Sequence, residues 1–483
     1  MSSLPKTDTP LYIAGSWRAA SGPSFDVFDP SNEKVLVKMP SASATEVHEA
    51  LAAAKKAQFD WAHTPAPQRG TFIRGAADLI KNNREMLARL VSQEVGKPLE
   101  QAYGEIDFAE GFLRYNAEWD RRLEGEILPA DSKGETIHLL RVPLGVVSAI
   151  CPWNFPLAVL CRKLGPALVT GNTIVIKASE ISPLSTMAFV QLVHDHLKLP
   201  PGVINLVTGA GAVGQALVDD PLTSLVSFTG HRDTGRNVMI RAAANFTRVS
   251  LELGGKAPAI VWKDADLDVA VPAIIAARHT NCGQVCTAAE RVLVHSSLVK
   301  SFTEKYIAAA QALKVGDPLK GSDMGPLVSE AQFKKTSAAV ALARKEGATV
   351  LTGGGRPEGA AYQAGYWFAP TVLGNVTAAM SVMIEETFGP VTPIIGIDSI
   401  EEAIGIANKS RYGLSAYLFS RDYGTVMRTV NDLDFGEIYI NRTLGESIHA
   451  HHAGYKESGM GGEDGRWGLL RYTQIKTAYH HYG

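Results

Sequence analysis

From residue 144 onward, short apolar runs alternate with stretches of helical periodicity, and this alternation constrains the fold more than any other feature of the chain. The apolar runs lie at 144–150, 173–177, 203–207, 225–228 and 248–253. Helical patterns occupy the intervals near 157–170, 183–197, 211–219 and 233–244. Apolar strands that are separated by helices form a parallel sheet covered on both faces. The chain therefore contains at least one α/β domain with a parallel sheet.

A second α/β alternation begins near residue 257 and runs to about residue 450. Its strand candidates are 259–261, 292–294, 349–351 and 391–395, and the earlier segment 45–120 has helical periodicity. The segments 135–142 and 472–482 have extended character and lie outside both alternations. Unpaired strand edges are a liability, so these two segments predict pairing with another subunit.

Length and charge exclude several classes of protein. A chain of 483 residues is too long for one core, so two or three domains are expected. The net charge of -2 gives no reason to expect nucleic acid or a membrane surface as partner. No apolar run approaches the roughly 18 residues of a bilayer span, and residues 1–10 lack the apolar stretch of a signal peptide. Four cysteines indicate reduced thiols and a cytoplasmic protein.

Three short motifs supply groups for chemistry at a carbonyl. The segment Asn-Cys-Gly-Gln-Val-Cys (281–286) offers a thiol nucleophile, and Leu-Glu-Leu-Gly-Gly-Lys (251–256) offers a carboxylate that transfers protons. The segment Pro-Trp-Asn-Phe-Pro (152–156) offers an amide donor for an oxyanion. These groups suffice to attack a carbonyl, stabilise the tetrahedral adduct and hydrolyse a thioester.

Several strand-to-helix turns are candidates for binding a dinucleotide. Gly-Ala-Gly-Ala-Val-Gly (209–214) is a formal G-x-G-x-x-G between a strand and a helix, although such small residues also serve tight packing. The turn 228–235 could face a pyrophosphate. Lys177 and Glu180 follow another strand, where Glu180 would accept hydrogen bonds from ribose hydroxyls and repel a 2′-phosphate, which favours NAD over NADP. The alternative is a solvated pair in a loop.

In this order, the motifs resemble the aldehyde dehydrogenase family over essentially the whole chain. The resemblance implies an NAD cofactor and a catalytic set of Cys286 as nucleophile, Glu252 as general base, Asn154 as oxyanion donor and Lys163 near the proton path. The implied cofactor-binding residues are Trp153, Lys177, Glu180, Gly211, Gln215, Gly230, His231, Gly235, Glu386 and Phe388. Cys151, Cys161 and Cys282 are interpreted as structural.

The resemblance also implies an architecture. We expect a Rossmann-type NAD-binding domain at 1–122 and 143–252, an α/β catalytic domain at 253–469, and a small β arm at 123–142 and 470–483. The arm would mediate a homo-oligomer, either a dimer or a tetramer.

Two positions depart from the family pattern. His231 stands where the family commonly has a serine that touches a phosphate. Arg466 occupies the place expected for a C-terminal glutamate of a proton relay, so proton removal would depend more heavily on Glu252 and water.

The segments 288–291, 387–390, 439–442 and 452–459 resemble the lactaldehyde and glycolaldehyde dehydrogenase branch of the family. This resemblance implies a small hydroxyaldehyde as the substrate. Arg162 follows Asn154 by eight residues on an expected helix and could hold a substrate hydroxyl or carboxylate, or form a structural ion pair. His452 matches a substrate-contacting histidine of this branch, and Glu446 is a further candidate near the nicotinamide. His449, His451 and His452 could form a metal site, but no carboxylate or thiol completes the ligand set, so no metal is expected.

Alternative functions remain open from the sequence. Within the class, a semialdehyde or an aromatic aldehyde could be the substrate, and a CoA-acylating enzyme is disfavoured by Glu252 as hydrolytic base. Outside the class, the chain could be a non-catalytic nucleotide-binding protein, against which the joint presence of Cys286, Glu252 and Asn154 argues.

Overall fold

The computed structural model describes Pro5 and residues 7–483. The strands in chain order are β1 Leu11–Ile13, β2 Ser16–Arg18, β3 Ser24–Asp29, β4 Lys34–Pro40, β5 Glu126–Pro129, β6 Glu135–Pro143, β7 Val146–Ile150, β8 Thr173–Lys177, β9 Ile204–Val207, β10 Thr223–Thr229, β11 Arg248–Glu252, β12 Ala257–Val261, β13 Ala289–His295, β14 Thr349–Thr352, β15 Thr371–Gly374, β16 Val391–Ile397, β17 Tyr412–Gly413, β18 Ser415–Phe419, β19 Glu437–Ile440, β20 Tyr455–Lys456, β21 Gly459–Met460 and β22 Thr473–His481.

Helices connect most of these strands. The α-helices in chain order are α1 Ala44–His63, α2 Ala66–Asn82, α3 Arg84–Val95, α4 Leu99–Ala117, α5 Pro156–Val169, α6 Leu184–His196, α7 Gly211–Asp219, α8 Arg232–Ala242, α9 Leu267–His279, α10 Val299–Ala312, α11 Glu330–Lys345, α12 Ser381–Ile384, α13 Ile400–Asn408, α14 Tyr423–Asp432 and α15 Gly465–Leu470. Within the described part of the chain, no helix combines the length and apolar character needed to cross a membrane.

The first large sheet has the order β2-β1-β9-β8-β7-β10-β11-β21, and its five central strands, β7 to β11, are parallel. Its apolar strands are buried on both faces. Val147 of β7 packs into the core with helices α2–α6, while Val146 faces the core with α1, α7 and α8. This two-sided burial is the physical reason for the uninterrupted apolar runs, and it confirms the predicted Rossmann-type arrangement.

The second large sheet has the order β14-β15-β16-β13-β12-β18-β19 and is parallel except for β14. Ala259 of β12 packs with helices α9 and α10, and its neighbour Ile260 faces α13 on the other side. The mixed α/β fold class expected from the sequence is thus confirmed.

The two detached extended segments find their partner within the same chain. Strand β22 pairs antiparallel with β6 over nine residues, from Thr473 opposite Pro143 to His481 opposite Glu135, and β5 adds a third strand. The argument that these segments need another subunit to satisfy their hydrogen bonds is therefore corrected, because their main pairing is intramolecular. Only the outer edges of β5 and β22 are left for other contacts in this sheet.

The domain boundaries given above stay a prediction. Strand β21 belongs to the first sheet although it lies within 253–469, and β6 extends one residue into the segment assigned to the first domain. Residues 1–4 and 6 of the predicted first domain lie outside the described residues.

Strand order also locates the site. The chain builds β7, β8 and β9 outward in one direction and then returns to place β10 on the other side of β7. Ligands of open α/β sheets bind outside the carboxyl ends of the strands at such a reversal. The loops that follow β7 and β10, at residues 151 and 230, open at this point.

Candidate active site

A cleft of about 700 Å³ lies at the carboxyl ends of β7, β10 and β11. Both large sheets contribute to it, because β11 ends at Glu252 and the chain then crosses within four residues to β12 of the second sheet. The cleft contains these residues predicted from sequence: Trp153, Asn154, Arg162, Gly230, His231, Glu252, Cys286, Glu386, Phe388, Glu446 and His452. Motifs separated by up to about 300 positions thus converge.

Cys286 lies in the loop before β13 and is half-buried. The loop curls because Asn281, Cys282 and Gly283 all have left-handed backbone angles, with φ of 50°, 57° and 75°. The crossing segment packs directly against this loop. A Cβ at Gly255 would lie 2.4 Å from the carbonyl oxygen of Cys286. The glycine of this motif is therefore required by close approach to the thiol-bearing backbone.

A buried ion pair holds the backbone of Asn154 in place through a hydrogen bond to its carbonyl oxygen. Lys97 and Glu105 have no exposed side-chain surface and form a salt bridge, and Lys97 Nζ donates to the carbonyl oxygen of Asn154 at 2.9 Å. Glu105 Oε1 accepts the backbone N–H of Leu157 at the start of α5, at 3.0 Å. The side-chain Nδ2 of Asn154 donates to the carbonyl oxygen of Gln284 at 2.9 Å, which aims the amide at the Cys286 loop. Its second N–H is suited to an oxyanion at the thiol.

Glu252 is buried, and neither of its carboxylate oxygens has a hydrogen-bond partner among the described residues. Burial raises the pKa of Glu252 to about 8, although the nearby His452 acts in the opposite direction. An unpartnered carboxyl that faces a cleft is free to exchange a proton with water or substrate. Its raised pKa places that exchange near neutral pH.

Lys163 is fully buried and is one of the charged groups that act on Glu252. Its Nζ donates to Glu463 Oε1 at 2.6 Å and to Ser227 Oγ at 3.0 Å. The expectation that Arg466 replaces the relay carboxylate is therefore wrong, because Glu463 supplies a carboxylate beside Lys163, three residues earlier. Arg466 itself is exposed on α15.

Arg162 is buried and its guanidinium is already paired. Its Nη2 lies 2.6 Å from Glu446 Oε1 and 3.0 Å from Asp464 Oδ2. Glu446 lies in the cleft wall, where burial would raise its pKa but Arg162 prevails and lowers the pKa to about 2. Arg162 thus carries no free charge for a substrate carboxylate, and Glu446 presents a fixed negative charge to the cleft.

His452 is buried beside Glu252 and Glu446. Its Nδ1 lies 3.0 Å from Glu437 Oε1, and its Nε2 lies 3.7 Å from Glu252 Oε2. Sequence analysis did not find Glu437, because it lies 15 positions from His452 on β19, within an apolar strand that carries no catalytic motif. Among the described residues no group of three or more potential metal ligands is formed, and His452 Nδ1 faces Glu437.

One end of the cleft has features suited to a dinucleotide. Glu386 accepts the backbone N–H of Gly255 at 2.8 Å, and burial together with Glu290 raises the pKa of Glu386 to about 7. Phe388 packs edge-on against Trp153 with ring centroids 5.5 Å apart. A Cβ at Gly254 would lie 2.5 Å from Glu386 Oε1, so only glycine leaves this carboxylate in place.

The other predicted cofactor residues lie along the same edge of the sheet, outside the lining of the cleft. Lys177 Nζ contacts Glu180 Oε2 at 2.9 Å at the end of β8. Gly211 and Gln215 are exposed at the start of α7, and a Cβ at Gly211 would meet open space. Gly235 is buried within α8 against Leu253. Their roles stay predictions.

His231 caps helix α8 in place of the expected serine. Its Nδ1 accepts the backbone N–H of Asp233 at 3.2 Å, and burial lowers the pKa of His231. The neutral ring that results keeps Nε2–H as a donor at the cleft.

The residues of this edge fit a dinucleotide. The hydroxyl of Thr229, which belongs to the predicted turn 228–235 and lines the cleft, is buried without a partner among the described residues. Acceptors for ribose hydroxyls are present at Glu180 and Glu386, and donors are present at His231 and Lys177. Lys335 and Gln332 of α11 also line the cleft, but no motif marks them.

The remaining cysteines lie away from the cleft lining and are buried. Burial raises the pKa of Cys151 to about 12 and raises the pKa values of Cys161 and Cys282 as well. Thiols with raised pKa values are inert at neutral pH, which agrees with a structural interpretation of these three.

The chain is similar to known proteins over almost its whole length. The profile of the aldehyde dehydrogenase family matches residues 17–478. The chain is 43% identical to lactaldehyde dehydrogenase of Escherichia coli (strain K12), covering 97% of this chain and 98% of that protein. It is also 43% identical to 3,6-anhydro-alpha-L-galactose dehydrogenase of Vibrio sp. (strain EJY3), with 97% and 98% coverage.

A solved structure of 3,6-anhydro-L-galactose dehydrogenase in complex with NAP superimposes with a TM-score of 0.95 at 44% identity, covering 97% of this chain and 99% of that chain. The resemblance predicted from the motifs is thereby confirmed. The chain belongs to the aldehyde dehydrogenase family and is an NAD(P)-dependent aldehyde dehydrogenase.

Proposed function

We propose that the protein oxidises a small hydroxyaldehyde, such as lactaldehyde or glycolaldehyde, to the carboxylate and prefers NAD over NADP. The observation that carries this proposal is the wall formed by Arg162, Glu446 and His452. Glu446 is held in the cleft by Arg162 and offers an acceptor, and His452 offers an N–H donor. A substrate hydroxyl can satisfy both groups.

The same wall argues against a substrate with a second carboxylate. Arg162 is already paired with Glu446 and Asp464, so an incoming carboxylate would have to displace Glu446 from Arg162 or approach its negative charge. Bringing like charges together in a buried site is unfavourable. The semialdehyde alternative is therefore less well supported by the geometry than a neutral hydroxyaldehyde.

The relatives support a hydroxylated substrate. The Escherichia coli protein is named for lactaldehyde and the Vibrio protein for 3,6-anhydro-alpha-L-galactose, and both compounds carry a hydroxyl beside the aldehyde carbon. The shared chemistry is an α-hydroxyaldehyde.

In this reaction, the Cys286 thiolate attacks the aldehyde carbon, and Asn154 Nδ2 together with the backbone N–H of Cys286 holds the oxyanion. NAD(P), when bound, supplies the hydride acceptor. Glu252 then takes a proton from the water that cleaves the Cys286 thioester, and Lys163 with Glu463 gives that proton a polar route away from the cleft.

Preference for NAD is proposed from Glu180. Its carboxylate stands beside Lys177 at the end of β8, where an adenosine ribose would lie in an open α/β sheet. It accepts hydrogen bonds from two ribose hydroxyls but repels a 2′-phosphate. Glu180→Gln keeps the shape and removes the charge, so the ratio of kcat/KM for NAD to that for NADP is expected to fall by about tenfold, as for loss of one close like-charge contact.

The test is NAD(P)H formation with lactaldehyde, glycolaldehyde, an anhydrosugar aldehyde, succinate semialdehyde and benzaldehyde, using wild type and Cys286→Ala. We expect turnover of the hydroxyaldehydes with NAD, no turnover by Cys286→Ala, and a rate that rises as Glu252 ionises near pH 8. Faster turnover of succinate semialdehyde or benzaldehyde would refute the substrate class. Cofactor binding without turnover of any aldehyde would favour a non-catalytic protein.

We also propose that the protein is a homo-oligomer. The open edges of β5 and β22 carry exposed apolar side chains, among them Ile127 and Tyr479. Light scattering coupled to size-exclusion chromatography tests this, because Ile127→Lys should reduce the mass of the particle. A wild-type mass near 51.8 kDa would contradict the proposal.

A further inference from the structure

The 385–390 loop joins α12 to β16 and carries two residues of the cleft, Glu386 and Phe388. Phe388 has a left-handed backbone with φ of 55°, which is unusual for a side chain of this size. Backbone strain of this kind persists only where the surrounding structure fixes it. The groups that hold this loop therefore control how the two residues face the cleft.

Glu290 holds the backbone of the loop. It is the second residue of β13 and is 2% exposed. Its Oε2 accepts the backbone N–H of Thr387 at 2.9 Å, and its Oε1 accepts the backbone N–H of Phe388 at 2.8 Å. Because the loop lies outside regular secondary structure, these two consecutive N–H groups depend on a side chain for their partner.

Two buried cations keep Glu290 ionised. Lys256 Nζ lies 2.6 Å from Glu290 Oε2, and Arg278 Nη1 lies 3.3 Å from Glu290 Oε1. Burial would raise the pKa of Glu290, but Lys256 and Arg278 prevail and lower the pKa to about 2. An ionised carboxylate only accepts hydrogen bonds, so both of its oxygens are matched to the N–H groups of the loop.

Arg278 connects the loop to the segment that carries the thiol. Its Nη2 donates to the carbonyl oxygen of Gly389, and also to that of Gly283 at 3.3 Å. A Cβ at Gly283 would lie 2.6 Å from the same nitrogen, so only glycine allows this close approach. The Glu290 carboxylate and its partner Arg278 thus bind the N–H groups and a carbonyl group of one loop.

We propose that Glu290 is a positioning residue for the cofactor, because its carboxylate holds the 385–390 loop so that Glu386 and Phe388 face the cleft. Glu290 itself is not part of the cleft lining, so it acts through the loop and not by contact with NAD(P). An ion pair that served stability alone would need only the two cations, and not the two backbone N–H groups. The proposal rests on the proposed function, since it takes Glu386 and Phe388 as cofactor-binding residues.

Two variants separate the hydrogen bonds from the charge. Glu290→Gln removes the charge and turns an amide NH₂ toward one of the two backbone N–H groups. Glu290→Asp keeps the charge beside Lys256 and Arg278 but is one methylene shorter, so its carboxylate draws away from the loop. Thermal melting shows whether each variant folds, and Glu290→Asp carries the test if Glu290→Gln does not.

The first measurement is hydrogen–deuterium exchange in peptides that span the 385–390 loop, on the full-length protein without cofactor or substrate. In each variant we expect at least one of the amides of Thr387 and Phe388 to exchange about tenfold faster, because it loses a hydrogen bond to a charged group.

The second measurement is the Kd for NAD and for NADP by fluorescence titration. A loop that spends less time in its binding conformation lowers the apparent affinity in proportion. For the cofactor that wild type binds more tightly, we expect the Kd to rise by about tenfold in both variants.

Asp264→Asn is the matched control. Asp264 Oδ2 also accepts two consecutive backbone N–H groups, those of Arg421 and Asp422, each at 2.8 Å, and Asp264 lies away from the cleft lining. This variant should speed exchange at 421–422, while the Kd for the cofactor stays within about twofold of wild type.

The proposal is overturned if exchange at 387–388 is unchanged in both Glu290 variants. It is also overturned if they lower Tm or speed exchange without raising the Kd, because Glu290 then serves stability alone. Equal weakening of cofactor binding by Asp264→Asn would have the same consequence. None of these measurements uses an aldehyde, so failure of the proposed substrate class is a separate outcome.

Discussion

Replacement of Glu252 by glutamine should stabilise the protein at neutral pH. The carboxyl is buried, lacks a hydrogen-bond partner among the described residues, and has its pKa raised to about 8. In the unfolded chain, the pKa returns to about 4.3. The folded state therefore holds a proton that the unfolded state releases, and this difference opposes folding once the pH exceeds 4.3.

The magnitude follows from the interval between the two pKa values. At pH 7 the pH exceeds the pKa of the unfolded state by about 2.7 units. At about 1.4 kcal/mol per unit, this difference destabilises the folded state by about 3–4 kcal/mol. At pH 5 the same reasoning gives about 1 kcal/mol, and below pH 4 the effect vanishes. Glutamine keeps the shape without a titrating group, so Glu252→Gln recovers this free energy of unfolding.

Thermal unfolding measures the effect. An unfolding entropy of about 2 cal/mol/K per residue makes about 1 kcal/mol/K for a chain of this length, so 3–4 kcal/mol corresponds to a rise in Tm of about 3–4 °C if the chain unfolds in one step. We expect that rise at pH 7 and about 1 °C at pH 5. Glu358→Gln, at an exposed position, is the control and should leave Tm unchanged at both values. An equal shift at both pH values, or a lower Tm at pH 7, would refute the reasoning.

Three further variants test other parts of the site. Asn154→Ala should lower kcat by about 100- to 1,000-fold through loss of an oxyanion donor, with the alkylation rate of Cys286 unchanged. Lys163→Met leaves the Glu463 carboxylate buried and unpaired, which should lower the free energy of unfolding by about 3–5 kcal/mol at pH 7, and a melt that matches wild type would contradict this. Gly254→Ala places a Cβ 2.5 Å from Glu386, so NAD binding measured by fluorescence titration should weaken while Tm changes little, and unchanged affinity would exclude that contact.

The parallel strands of the first sheet were predictable to within about two residues. Strand β8 was predicted at its observed bounds, and β7, β9, β10 and β11 differ only at their ends. Strands that are buried on both faces consist of continuous apolar residues, and this pattern can be recognised in the sequence. Strands β15 and β19, with four residues each, and β18, with five, were missed, because they lie next to glycine-rich or polar turns that hide their period.

The strand pairing within the β arm could not be predicted from the sequence. Residues 135–142 and 472–482 were recognised as extended, but a local pattern does not state which strand pairs with which. The partners β6 and β22 are more than 300 positions apart, and only the folded chain brings them into register.

The residues of the site also fall into two groups, those that a local motif identifies and those that only the folded chain reveals. Cys286, Glu252 and Asn154 carry local motifs because glycines and turns must shape the backbone around them, and those requirements are visible in the sequence. Glu437 and Glu463 carry no such signature. Each acts through side-chain contacts made in the folded chain, Glu437 with His452 and Tyr439, and Glu463 with Lys163 and Ser227. Neither spacing nor composition therefore identifies it. Glu463 was overlooked for Arg466 because a three-residue offset cannot be judged without the helix start that places them.

The buried site explains why these overlooked carboxyls matter. Its cations are Arg162, Lys163 and His452, and its acids are Glu252, Glu437, Glu446, Glu463 and Asp464. Fully ionised, the cluster would hold two uncompensated negative charges away from water, which is costly. Burial raises the pKa of Glu252 to about 8 and that of Asp464 to about 7, so these two carboxyls retain protons near neutral pH and bring the cluster close to neutrality. Of these two carboxyls, only Glu252 lines the cleft. The proton that brings the buried cluster close to neutrality is therefore held by the same group that later accepts a proton from water.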